Sequence, residues 1–169
     1  MSHDVRSFRP IIGSNATRLI LGSMPGAASL QAREYYAHPR NAFWSIMESL
    51  LGIKRAAPYA TRSRALAAAG VAVWDVLESC RRPGSLDSAI ELHSIVTNDF
   101  ERFLRQNPGI TRIYFNGNTA RRLFDRHVLP QLADSQKQIA RITLPSTSPA
   151  HAGLSLPQKT RAWRVIGER

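Results

Sequence analysis

Three segments of the chain carry residues whose types and order suit chemistry. The first runs Gly22-Ser23-Met24-Pro25-Gly26 and then Glu34-Tyr35-Tyr36-Ala37-His38-Pro39-Arg40-Asn41-Ala42-Phe43-Trp44. A glycine-bearing turn lets backbone N–H groups come close to a bound group. It is not a phosphate loop, which would end in Gly-Lys-Ser/Thr, nor a dinucleotide fingerprint, which needs Gly-x-Gly-x-x-Gly. Two tyrosines and a rigid proline turn among arginines suit the stacking of nucleobases. Asn41, read alone, fits the cap of the helix that follows better than a catalytic group. The second segment ends at Asp75, after Val71-Ala72-Val73-Trp74. A carboxyl there either lines a ligand site or ties down a loop by pairing with Arg81 or Arg82. The third is Ser146-Thr147-Ser148-Pro149-Ala150-His151. Its three hydroxyls suit phosphate contacts, which fix register without reading sequence, or a plain Ser/Thr turn. Ser85 offers the same choice, and His151 either reaches phosphate or is surface.

The charge balance agrees with a polyanionic partner. Lys and Arg number 23 and Asp and Glu 12 in 169 residues, a net charge of +11. The basic residues are mostly arginines spread along the chain rather than gathered in a tail, so they belong to the folded surface. The plainer alternative is an arginine-rich but passive surface. No helix sets Lys and Arg opposite a broad apolar face, which argues against binding to anionic membranes. The one cysteine, Cys80, excludes an internal disulfide and a cysteine-bound zinc or iron–sulfur centre within this chain. It reads as a small buried residue and not a nucleophile. No metal site is expected. The start of the chain is polar, and the longest apolar stretch, residues 65–74, is about half of what a bilayer span needs.

Short apolar runs at 19–22, 71–74, 113–115 and 139–144 each open into a polar loop, as buried parallel strands do. Helical patterns lie between them. Phe43, Ile46, Met47, Leu50 and Leu51 form a stripe stopped by Gly52. Thr61 is positioned to cap a helix to residue 69, and Asn98 or Asp99 to cap one that Pro108-Gly109 halts. Ala120, Leu123, Phe124 and Val128 form a fourth stripe, and residues 159–166 a last helix. This alternation predicts an α/β fold: a three-layer αβα sandwich around a central, mostly parallel sheet of about four strands, in a single domain over residues 1–169. Ligands of such sheets bind at the carboxyl ends of the strands, which singles out the loops 22–41, 75–87, 116–119 and 145–151.

The first segment resembles the first motif of the uracil-DNA glycosylase superfamily: Gly-x-Asn-Pro-Gly, then Phe-x-His-Pro-x-Asn-x-Phe-Trp, at the same spacing. Val73-Trp74-Asp75-Val76-Leu77 resembles the second-strand base-recognition motif, Phe115-Asn116-Gly117 the third strand, and 144–150 the final DNA-gripping loop. Arg82-Pro83-Gly84-Ser85-Leu86-Asp87 is similar to the hypoxanthine-DNA glycosylase branch in particular. Two departures point to that branch. Met24 stands where uracil-excising members have a water-orienting Asp or Asn, and Ser146 where they have His or Asn.

The resemblance implies that Asn41 is catalytic. A carboxamide is no general base, so it would orient a water and stabilise developing charge. Tyr36 would stack on the base, Gly22, Ser23 and Met24 would offer backbone N–H groups to it, and Asp75 would read its edge. Ser85, Ser146, Thr147, Ser148 and His151 would hold DNA, and His151 could enter the gap left by a flipped base. With no lysine in the motifs, the expected activity is that of a monofunctional glycosylase. The implied function is hydrolysis of the N-glycosidic bond of a flipped deaminated base, chiefly hypoxanthine, leaving an abasic site in base-excision repair. The expected partner is damaged DNA, single- or double-stranded, with no cofactor, for a monomeric protein of the cytoplasm. The alternatives are a uracil- or mismatch-specific glycosylase, and a non-catalytic single-strand nucleic-acid-binding module.

Overall fold

A computed structural model describes residues 3–168. Its centre is a four-stranded parallel sheet in the order β3-β2-β6-β7, made of β2 (Arg18–Gly22), β3 (Val71–Asp75), β6 (Arg112–Asn116) and β7 (Ala140–Leu144). A second, antiparallel sheet has the order β1-β4-β5, from β1 (Asp4–Arg6), β4 (Leu77–Arg81) and β5 (Glu91–Thr97). The helices are α1 (Ala27–Ala32), α2 (Phe43–Leu51), α3 (Tyr59–Ala68), α4 (Phe100–Gln106), α5 (Asn118–His127), α6 (Asp134–Lys137) and α7 (Leu156–Trp163). The three-layer architecture and the four parallel strands match the expectation from the sequence.

Strand periodicity divides the core in two, because successive side chains point to opposite faces. Ile20, Val71, Val73 and Tyr114 join Phe43, Ile46 and Met47 of α2, Leu66 of α3 and Trp163 of α7 on one face. Leu19, Leu21, Ala72, Ile113 and Phe115 join α4, α5 and the small sheet on the other. The middle of β2, β3 and β6 is therefore apolar on both faces, as burial on both sides requires, while the edge strand β7 keeps the polar Arg141 and Thr143.

Several boundaries differ from the expectation, each for a local reason. Residues 75–87 are not one loop: β4 occupies part of them, paired with β1 and β5. Its sequence, Leu-Glu-Ser-Cys-Arg, is too polar to signal a strand, and one of its partners, β1, is distant in the chain. Helix α3 begins at Tyr59 after Pro58, so Thr61 lies inside it. Asp99, not Asn98, caps α4, accepting from the Arg102 N–H. Helix α7 begins at Leu156, earlier than expected, because Ser155 and Gln158 form a reciprocal capping box. Gly52 ends α2 in the left-handed conformation, as its position suggested.

Candidate active site

A cavity of about 400 Å³ opens at the carboxyl ends of the central strands. That is within the usual range of small-molecule sites, about 300–1,000 Å³. All four loops singled out in the sequence contribute to its wall, with residues 22–29 and Tyr36, His38 and Asn41 from the first, Asp75 and residues 85–87 from the second, Asn116 from the third and residues 146–151 from the fourth.

Gly22, Tyr36 and Asp75 are fitted to one another. A Cβ on Gly22 would lie 2.6 Å from Asp75 Oδ1 and 3.2 Å from the Tyr36 hydroxyl, so no larger residue fits between them. Tyr36 holds φ at +56°, a conformation a bulky residue rarely adopts. The reward is a ring stacked on Phe43, with centroids 4.1 Å apart and planes 24° apart, which fixes the tyrosine at the cavity wall. Asp75 is 3% exposed, and its Oδ2 is buried without a hydrogen-bond partner among the described residues. Burial first, then the nearby Asp87 carboxylate, pushes Asp75 up to about 7 against the pull of Arg82. Burial and the neighbouring Asp75 also push the Tyr36 phenol up, so it remains neutral.

Asn41 partly serves as the cap its position suggested. Its Oδ1 accepts from the Phe43 N–H at 3.0 Å. A carbonyl oxygen has a second lone pair, and Nδ2 has no partner among the described residues, so the amide keeps capacity for a water in the cavity. The Ser23 and Met24 N–H groups are likewise without acceptors among the described residues. The Met24 side chain packs into the core, while the Ser23 hydroxyl donates to Asp87 Oδ1 at 2.6 Å.

One hydroxyl expected to face phosphate is buried in a clasp between loops, and another also satisfies a helix start. Thr147 is 1% exposed; its N–H donates to Asn116 Oδ1 and its Oγ1 accepts from Asn116 Nδ2, both at 2.9 Å. Its carbonyl accepts from the Ala42 N–H at 3.0 Å, so Thr147 fastens the final loop to the first. Ser85 Oγ accepts from the Ala27 N–H at 2.8 Å and so satisfies the start of α1, whose own cap residue, Gly26, has no side chain to do it. Ser146 and Ser148 form short turns with the N–H groups of Ser148 and Ala150, and their hydroxyl hydrogens remain free to donate. His151 is exposed at the cavity rim.

The family model for the uracil DNA glycosylase superfamily matches residues 10–166. The chain belongs to the uracil DNA glycosylase superfamily. Two curated relatives are both called hypoxanthine DNA glycosylase. One, from Methanosarcina barkeri, is 34% identical over 66% of this chain and 70% of its own length. The other, from Methanosarcina acetivorans, is 33% identical over 68% and 72%. The solution NMR structure of a Methanosarcina acetivorans protein assigned as a candidate uracil DNA glycosylase is similar with a TM-score of 0.77 and 28% identity, over 96% of this chain and 98% of that one.

Within this superfamily chain, three residues brace the site in ways the sequence did not indicate. Asn116 clasps the final loop, as described. Arg82 is 2% exposed and donates to the Pro25 carbonyl at 2.6 Å and the Gly84 carbonyl at 2.9 Å, locking the second loop to the first. Lys159 is buried, and its ammonium donates to the Ser148 carbonyl at 3.4 Å, bracing the final loop from α7. The motifs included Asn116 and Arg82 but gave neither a bracing role, and nothing in the sequence distinguishes Lys159 from a surface cation. Among the described residues, no cluster of three or more His, Cys, Asp or Glu side chains could hold a metal ion, and no helix is long and apolar enough to cross a membrane.

Proposed function

We propose that this chain hydrolyses the N-glycosidic bond of deoxyinosine in DNA, releasing hypoxanthine and leaving an abasic site. The observation that carries the reading is the convergence of Asn41, Tyr36 and Asp75 on one cavity at the sheet's carboxyl edge. The names of the two curated relatives support the choice of base. The cavity takes a nucleotide turned out of the stack, since the bond is inaccessible within the duplex. Tyr36, held against Phe43, lies along the flat base. The Ser23 and Met24 N–H groups supply donors to purine oxygen or nitrogen as negative charge develops there.

The C1′–N9 bond breaks first, in an oxocarbenium-like transition state comparable to that of glycosides. Water held by the Asn41 amide then bonds to C1′, and one of its protons ends on the purine. Asn41 needs no proton affinity for this, because it acts by position. Asp75 accepts from the lactam N1–H of hypoxanthine through a carboxyl oxygen, and in its carboxylate state it also repels the lone pair that adenine has at N1. In its protonated state, populated up to about pH 7, Asp75 adds no full negative charge beside the departing purine anion.

Base release from oligonucleotides carrying inosine, uracil, xanthine or no lesion tests the reading. Release of hypoxanthine well above uracil is the expected result. Release of uracil alone would favour a uracil enzyme, and tight binding with no release of any base a nucleic-acid-binding module.

A further inference from the structure

Residues 82–87 run beside the turn of the first loop and are tied to it three times. Arg82 donates to the Pro25 carbonyl, Ser85 accepts from the Ala27 N–H, and Asp87 Oδ1 accepts from the Ser23 hydroxyl. From the other side, the Val76 and Leu77 N–H groups donate to the Gly22 and Ser23 carbonyls at 2.8 and 3.1 Å. These bonds occupy the carbonyls of Gly22, Ser23 and Pro25 and the Ser23 hydroxyl. The N–H groups of Ser23 and Met24, which have no acceptor among the described residues, are what the turn has left to offer the cavity.

Asp87 differs from the other two ties. Arg82 is buried behind the cavity wall and Ser85 is neutral, whereas Asp87 is a carboxylate that lines the cavity. Its bond to Ser23, at 2.6 Å, has the length of a charge-assisted O–H···O⁻ bond, roughly twice as strong as a neutral one. Negative charge beside a departing purine anion opposes cleavage, so a carboxylate placed here needs a compensating use. We propose that Asp87 is a positioning residue for base release: through Ser23 it holds the turn so that the Ser23 and Met24 N–H groups meet the charge that develops on the purine. The proposal rests on the glycosylase reading. In this role Asp87 acts on the turn, and the turn acts on the base. The charge of Asp87 has a second effect. Two neighbouring carboxyl groups resist ionising together. Asp87 stands exposed at the rim, so the charge stays there, in solvent, and the buried Asp75 keeps its proton. Of the other groups around Asp75, Arg82 pulls the opposite way, and the Tyr35 and Tyr36 phenols are held neutral by burial and by Asp75 itself.

The test measures single-turnover release of hypoxanthine from an inosine oligonucleotide across pH 5–9, with DNA affinity by fluorescence anisotropy, for the wild type, Asp87→Asn, Asp87→Ala, Ser23→Ala and the double variant Ser23→Ala/Asp87→Ala. Asp87→Ala and Ser23→Ala are each expected to slow release about tenfold or more, the scale of a lost bond to a charged group, and the double variant no more than either. DNA affinity should not change. Asp87→Asn can still accept from Ser23, so it should recover most of the loss at low pH, while its rate falls at a lower pH than the wild type's value of about 7. Ser23→Ala should leave that fall where it is. Unchanged release by Asp87→Ala, losses that add in the double variant, or an Asp87→Asn profile that coincides with the wild type's would each overturn the proposal. So would an equal loss of DNA affinity in Asp87→Ala, the mark of a collapsed loop. A wild type that releases no base would overturn the glycosylase reading itself.

Discussion

Asn41 and Asp75 bear most of the proposed chemistry, and their surroundings separate their roles. Asn41 holds the helix start through one lone pair and faces the cavity with the rest of its amide. Asn41→Ala should lower base release about a hundredfold or more, the scale of a lost positioning group. Its effect on stability should stay near about 1 kcal/mol, the loss of one cap. Single-turnover rates and urea denaturation of the same variant check both. Asp75 links activity to pH. Burial raises its folded value to about 7, so between about pH 4 and 7 the folded chain keeps a proton that the unfolded chain, with an ordinary carboxyl, gives up. This contribution to stability is fully present below that window and lost as pH rises through about 7. Asp75→Asn should therefore be more stable than wild type at pH 8, by roughly 1–4 kcal/mol, with the difference shrinking towards pH 4. Excision by wild type should fall as pH rises through about 7, and the Asp75→Asn profile should be flat there. Denaturation and single-turnover rates across pH 4–9 decide it.

At the scale of elements, the cavity is held by few bonds between loops. One path runs from the end of β6 through Asn116 to Thr147 and on to Ala42 at the start of α2. Thr147→Val keeps the side chain's volume but removes the acceptor for Asn116 Nδ2. Leaving that donor unsatisfied should cost about 1–3 kcal/mol, raise KM for DNA and leave the bond-breaking rate less affected. Thermal unfolding and steady-state kinetics measure both, and an unchanged KM would count against the clasp. These links explain why the helices were easier to read than their junctions. The stripe of Phe43, Ile46 and Met47 announces α2, and Gly52 its end, because helix periodicity and a left-handed stop are local. The small sheet is not local. Cys80 pairs with Val5, far back in the chain, so β4 takes its form from a strand its own sequence does not indicate.

For the whole molecule, the net charge of +11 predicts how it meets DNA. Dispersed arginines that neutralise phosphates release condensed counterions, so affinity for an undamaged duplex should fall steeply between about 50 and 200 mM salt. Fluorescence anisotropy across that range measures the slope, and a flat response would remove the basic surface from the DNA footprint. Charge, strand pattern and motif spacing are properties of the chain, and they pointed to the parallel sheet, to its carboxyl edge and to Tyr36, Asn41 and Asp75, which all line one cavity. What those residues are free to do was decided in three dimensions. Thr147 has the hydroxyl a phosphate contact needs, yet folding buries it in the clasp with Asn116. Arg82 and Lys159 read as surface charge and end as buried braces. Asp87 is one of 12 acidic residues in the sequence, and only folding brings its carboxylate to the Ser23 hydroxyl. A residue's type limits which bonds it can form, while burial and competing partners, both set by packing between distant segments, select which of those bonds it makes.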